Sequence, residues 1–193
     1  SHGMVRLAGG TKMSSRKGNI VRASEVLDLT TESSIKLIGK QNDATTLGAI
    51  KYAFLKTRLG GDIIYDAVES VSLEGNSGPY LQYSHARARS IIRKANTTIK
   101  QIGEDIKIEP DERSLLLKVT QYPEVIDKSI EELLPHYVCT YLYELAQVFN
   151  HFYEHNRVIG EARQDFRLAL VCLYADTLEK GLNLLGIDAP DQL

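Results

Sequence analysis

A chain of 193 residues, 43% hydrophobic and 25% charged, can bury a proper core and is expected to form one or two domains. Its formal net charge of −2 excludes recognition of a polyanion through bulk charge, so such a partner has to be met by local patches. Two cysteines, Cys139 and Cys172, sit in apolar helical stretches with no His or Cys at ligand spacing. They argue against a disulfide scaffold or a metal site and predict buried thiols in a reducing compartment. With neither a signal peptide nor an apolar run of membrane-spanning length, a soluble cytoplasmic protein is expected.

In chain order, Met4 to Leu7 reads as a short strand entering the Gly9-Gly10 turn. The stretch Lys12-Met13-Ser14-Ser15-Arg16-Lys17-Gly18-Asn19 follows, with three cations, two hydroxyls and a glycine in eight residues and no proline. It cannot form a core; its ammonium, guanidinium, hydroxyl and backbone N–H donors suit a polyphosphate, and the plain alternative is a solvated basic loop. Ser24 is the expected cap of a helix carrying Glu25, Val26, Leu27 and Leu29, with a restart at Thr30 or Thr31 ahead of Gly39. Asn42 or Asp43 caps the next helix, which should run to Leu59 and stop at Gly60-Gly61. Ile63 to Tyr65 reads as a strand, and Asp66 caps a short helix ending near Val71.

Leu73 to Pro79 is turn chemistry, with Pro79 opening a helix that should reach Thr97. At 100° per residue, Leu81, Ser84, Ala88, Ile92 and Ala95 share one face, with Ile91 at its border, while Arg87, Arg89, Arg93 and Lys94 occupy the other sides. No acid on this helix balances those cations, which makes it a candidate contact for a phosphate backbone. The charge pattern of the chain agrees. Five Lys or Arg and no acid lie between Ser1 and Ser24, and five more without an acid lie between Gly75 and Gly103. Further helices are expected from Pro110 through Val119, from Tyr122-Pro123 to Leu134, and from Pro135 along a Val138, Tyr141, Leu142, Leu145, Val148, Phe149, Phe152 stripe. A last one should run from about Ala162 to Leu185, with Phe166, Leu170, Leu173, Leu178 and Leu182 inward. His151 and His155 have metal-ligand spacing, but no third ligand is evident, so no metal is expected.

Lys12 to Arg16 resembles the mobile Lys-Met-Ser-Lys-Ser signature loop of class I aminoacyl-tRNA synthetases, with Ser15 where many relatives carry a second lysine. Glu74-Gly75-Asn76-Ser77-Gly78-Pro79-Tyr80-Leu81-Gln82-Tyr83-Ser84-His85-Ala86-Arg87 resembles the block that marks the arginyl members of that class. The order and spacing of the two are those of the arginyl-tRNA synthetase family. Similarity continues through Tyr141 to Ala146, Phe149 to Tyr153, Arg157 to Ile159 and Gly181 to Ile187, whereas the family's usual Pro-Glu-Arg-Met ending reads Pro190-Asp191-Gln192-Leu193 here.

The resemblance implies a mainly α fold: a helical bundle of the DALR anticodon-binding type over residues 73–193, preceded by a class I catalytic remnant over 1–72 with one or two short strands. It implies that Lys12, Ser14, Ser15, Arg16 and Lys17 serve catalysis, with Lys12, Met13, Ser14 and Ser15 on ATP, and that Mg²⁺ accompanies the nucleotide. The partners implied are tRNA-Arg for this chain, and arginine and ATP for the full enzyme, with a monomer expected. The residues assigned to tRNA are Asn76, Tyr80, Gln82, Tyr83, Arg87, Arg89, Arg93, Lys94, His151, Tyr153 and Arg157, with the Gly75–Tyr80 loop and the Asn150–Arg157 region as the implied readers of the anticodon. The chain carries no His-Ile-Gly-His-type segment, so by itself it is expected to be inactive. Alternatives are another class I synthetase with this domain, such as the cysteinyl type, or a non-catalytic helical module that binds RNA or protein.

Overall fold

In the computed structural model, residues 3–8, 22–39, 42–99 and 106–193 are described. The signature-like stretch Lys12 to Asn19 lies outside them. Two strands, β1 (Val5–Leu7) and β2 (Ile63–Tyr65), form where the sequence predicts them and pair in parallel, Val5 opposite Ile63 and Leu7 opposite Tyr65. Around them pack α1 (Ala23–Ile38), α2 (Asp43–Leu55) and α3 (Ala67–Val71), and the rest of the chain forms α4 (Gly78–Ala95), α5 (Pro110–Thr120), α6 (Tyr122–Glu132), α7 (His136–His155) and α8 (Gln164–Leu184). The mainly α architecture with a small two-stranded sheet is the one expected.

Local chemistry explains most element ends. Asn42 accepts the Thr45 N–H at the start of α2, Asp66 accepts from Val68 and Glu69 at α3, and Ser77 accepts from Tyr80 at α4. Gly39, at φ 82°, closes α1 in the left-handed conformation, its N–H bonded to Ile35 O.

Other ends correct the sequence reading. Ser24 does not cap; α1 begins at Ala23, with Arg22 at the cap position and no side-chain cap. Nor does α1 restart at Thr30 or Thr31. Thr30 sits mid-helix because its hydroxyl donates to Val26 O at 2.6 Å and receives the Tyr65 hydroxyl at 2.5 Å. α2 stops at Leu55, before the glycines.

The core lies between α4, α5, α7 and α8. The α7 stripe is inward as expected, apart from a partly buried Val148. On α8 the buried set is Leu168, Leu170, Val171, Tyr174, Ala175, Leu178 and Leu182, while Leu173 faces outward and Phe166 only borders the core. The helix is rotated from the expected face because Tyr174 stacks on Phe149 at 3.8 Å between ring centroids and bonds Ser84 through its hydroxyl at 2.6 Å. On α4, Ile91 is buried and Ile92 only partly so. Cys139 is buried, and burial pushes its thiol up to about 12; Cys172 is only partly covered.

Two contacts tie the parts together. Tyr52 of α2 is fully buried in the bundle core, its hydroxyl 2.6 Å from Asn76 Oδ1 and 3.0 Å from Cys139 O. Gly78 lies directly against α2, where a Cβ would stand 2.3 Å from Gly48 O. That glycine serves a helix–helix approach as well as a turn.

Candidate nucleic-acid interface

The second half of α4, the end of α7, the loop after it and residues 191–193 enclose a groove of about 1070 Å³. Tyr83, Arg87, Arg93 and Lys94 reach it from α4, Tyr153 and His155 from α7, and Arg157 from the loop. Its centre is a guanidinium between two rings: Arg87 Cζ lies 4.9 Å from the Tyr83 centroid and 5.8 Å from that of Tyr153. Arg87 also donates to Asn150 Oδ1 at 3.2 Å, and Asn150 Nδ2 donates to the Tyr80 hydroxyl at 2.8 Å. This chain holds the cation in place while leaving Tyr83 and Tyr153 about two-fifths exposed. Aromatic faces and a guanidinium plane offered together, rimmed by Arg93, Lys94 and Arg157, suit an unstacked base beside its phosphates.

The loop that carries Arg157 is held from below. Arg167 Nη1 donates to Arg157 O at 2.8 Å, and Asn156 Nδ2 donates to Asp111 Oδ2 at 2.9 Å. Arg167 is anchored in turn by fully buried Glu112, which also receives Arg163, and by Glu109. Burial alone would raise the Glu112 carboxyl. Bonds from Arg163, the Glu109 N–H and Arg167 outweigh it and hold the group at about 2.

Six of the eleven residues assigned to tRNA from sequence therefore line one groove: Tyr83, Arg87, Arg93, Lys94, Tyr153 and Arg157. Tyr80 supports the groove from behind through Asn150. His151 stands outside it, on the exposed side of α7, with Asp111 at 3.7 Å and its ring 4.3 Å from that of His155.

Three residues are otherwise engaged. Asn76 receives the Tyr52 hydroxyl. Gln82 is fully buried; its Nε2 donates to Ala44 O and Asp188 O, and its Oε1 is buried without a hydrogen-bond partner in the protein. Arg89 pairs with Asp176 at 3.0 Å, Glu179 at 2.5 Å and Asp191 at 3.5 Å. The cations of α4 are unbalanced along the helix, as the sequence says, yet Arg89 is balanced by acids from α8 and from Asp191. The resemblance marks the Asn150–Arg157 region without giving Asn150 or Asn156 a role of its own; both act here as supports. Asp191 and Gln192 as lining were missed, since nothing local to them signals a role.

Among the described residues no group of three His, Cys, Asp or Glu is placed to hold a metal, and no helix is long and apolar enough to cross a membrane.

Comparison with known proteins shows the family and the fold. The model of the DALR anticodon binding domain matches residues 81–193. Arginine–tRNA ligases of Flavobacterium psychrophilum and Alteromonas mediterranea are 35% and 37% identical over 100% and 99% of this chain. The chain covers 35% and 36% of those proteins, about a third of their length. The arginyl-tRNA synthetase of Thermus thermophilus superposes with a TM-score of 0.84 at 32% identity, over all of this chain and 35% of that one. The Plasmodium falciparum enzyme shares the fold, with a TM-score of 0.79 at 24% identity.

Proposed function

This chain belongs to the DALR anticodon-binding domain family, and from that premise we propose that it is the part of an arginine–tRNA ligase that grips the anticodon stem-loop of tRNA-Arg. One observation carries the reading: residues far apart in sequence converge on one groove where Arg87 lies against Tyr83 and Tyr153, and where the cations Arg93, Lys94, Arg157 and Arg87 outnumber the carboxylates Glu154 and Asp191. Stacking takes up a splayed base, and the rim meets its phosphates.

Binding of the chain to tRNA-Arg transcripts with intact and altered anticodons, over a salt series, tests it. Steep salt dependence with weaker binding to the altered anticodon is expected. Arg87→Ala should weaken binding about five- to 150-fold, the range set by the ~1–3 kcal/mol that one stacked base contributes. Equal binding to all anticodons, or none at moderate salt, would sink the reading.

Residues 1–72 are read as the end of the catalytic domain and 73–193 as the anticodon-binding part, with α2 joining the two through Tyr52. The donor set of Lys12, Met13, Ser14, Ser15, Arg16 and Lys17 suits the phosphates of ATP. In the full enzyme, with Mg²⁺ accompanying the nucleotide, these cations would stabilise charge building on the leaving pyrophosphate as arginine is activated. The chain alone should not aminoacylate; arginine-dependent ATP–pyrophosphate exchange by these 193 residues would refute that. A monomer working in the cytoplasm completes the reading.

A further inference from the structure

Gln82, His85, Arg89 and Arg93 are spaced by three, four and four residues, which sets them within about 80° of one another on α4. Over this stripe lies the chain's own segment 188–193, which has no helix or strand. Gln82 Nε2 donates to Asp188 O at 2.8 Å, His85 Nδ1 is 3.0 Å from Pro190 O, and Arg93 Nη1 donates to Asp191 O at 3.1 Å. Arg89 Nε stands 3.5 Å from Asp191 Oδ1. The segment starts from a fixed point, since Ile187 is buried in the core and Lys51 Nζ donates to Gly186 O. It then delivers Asp191, Gln192 and Leu193 into the lining of the groove, opposite Arg87 and Arg157.

We infer that Gln82 and His85 are positioning residues of the groove: by seating segment 188–193 along α4 they build the wall that the helices leave open. This rests on the reading of the groove as the RNA site. The chemistry of His85 makes it selective. A carbonyl only accepts, so Nδ1 carries the proton toward Pro190 O, and Nε2 is left to accept the Arg89 Nε–H at 3.2 Å. One neutral tautomer satisfies both neighbours of a fully buried ring. A second proton would set N–H against N–H beside a guanidinium. The charged groups around the ring are Arg89 on α4, Glu179 and Asp176 on α8, and Asp191 on the segment. Burial, then Arg89, holds the imidazole below its ordinary range against the opposing pull of the Pro190 carbonyl, Glu179 and Asp191.

The test uses the full chain and two readouts. Heteronuclear NOEs of the Asp191, Gln192 and Leu193 amides report order of the segment on the picosecond to nanosecond scale. Affinity for an anticodon stem-loop RNA reports the groove. In the unaltered chain the three amides should be as ordered as those of α4. His85→Phe keeps the ring volume but removes both polar atoms. It should release the segment and weaken RNA binding about tenfold, the scale of one lost buried hydrogen bond, with the α5–α7 resonances unmoved. His85→Asn restores a donor where Nδ1 stood and should recover much of the order. Gln82→Met, which keeps length without the amide, provides a second test should His85→Phe fail to fold.

Segment order untouched in the folded variants, or absent from the unaltered chain, overturns the inference. So does RNA affinity unchanged in a variant whose segment is released. If the unaltered chain binds no stem-loop, the groove reading fails instead, and the NOEs still decide whether the two side chains seat the segment.

Discussion

The bundle of α4 to α8 and the layer of β1, β2 and α1 to α3 are built from similar residues to different effect. In the bundle, Leu81, Leu142, Leu145, Phe149, Phe152, Leu178 and Leu182 are fully buried, and its one buried carboxylate, among the described residues, is met by two arginines. In the layer, Leu27, Leu29, Leu37, Ile64 and Val68 are 39% to 72% exposed, while Thr30 and Ser34 lie inside. The bundle exposes Leu117, Ile130, Leu133, Leu173 and Leu184 as well, but around a filled apolar core. Ser34 Oγ and Thr46 Oγ1 are buried in the layer without a hydrogen-bond partner in the protein, as Gln82 Oε1 and His136 Nδ1 are in the bundle, so the apolar interiors make the difference. Burial of apolar surface is the main favourable contribution to folding, and a buried unpaired hydroxyl opposes it. The bundle therefore holds most of the stability, and the layer should open first.

The largest effect should come from the bundle's charged joint. Glu112→Ala leaves Arg163 and Arg167 facing each other with Glu109 alone to pair with them, and removing one partner of a buried pair costs about 3–5 kcal/mol. Urea denaturation should show the whole chain destabilised; an unmoved midpoint would mean that the bundle is not the stable half. The same carboxyl makes the bundle acid-sensitive. Held at about 2 in the folded protein, it binds fewer protons folded than unfolded at any pH between that value and the ordinary carboxylate range. Its stabilisation is complete above that range and fades as pH falls toward 2. The midpoint in urea, followed downward in pH, should drop less in Glu112→Gln than in the unaltered chain.

A smaller effect should come from the seam between the regions. In Gly78→Ala the new Cβ would stand 2.3 Å from Gly48 O, and backbone on both sides has no slack. Overpacking of this kind costs about 1–3 kcal/mol. Because it forces α2 from α4, it should split one unfolding transition into two, the layer melting earlier. A single transition, merely shifted, would show that the two regions stay coupled.

The sequence discloses these regions unevenly. Strands, two caps and the α7 stripe were legible because their causes are local: Asn42 and Asp66 bond amides two or three residues on, whereas Ser77, read only as part of a turn, caps α4 and Ser24 caps nothing. The inward face of α8 was legible only in part: Leu170, Leu178 and Leu182 are buried as expected, but Leu173 is exposed and Tyr174 takes the inward place on Phe149 and Ser84, partners remote in sequence. Arg87 and Arg89 mark the limit most sharply. Two residues apart on one helix, one lies between tyrosines at the groove and the other is tied to three acids. Asp176, Glu179 and Asp191, remote in the chain, decide between them.

The smallest change separates the two regions most cleanly. Tyr65 is buried at the end of β2, its hydroxyl bonded to Thr30 Oγ1 at 2.5 Å, its ring 5.7 Å from that of Phe54. Tyr65→Phe keeps the ring and removes the bond. Thr30 still donates to Val26 O, so only the donor to Thr30 Oγ1 is removed and the cost should be about 1 kcal/mol. Amide hydrogen exchange resolves where that cost falls. If the layer opens on its own, protected amides of α1 and α3 should exchange about fivefold faster while those of α7 and α8 keep their rates. An equal acceleration in α7 and α8 would mean that layer and bundle open only together, and the uneven stability argued from their interiors would be wrong.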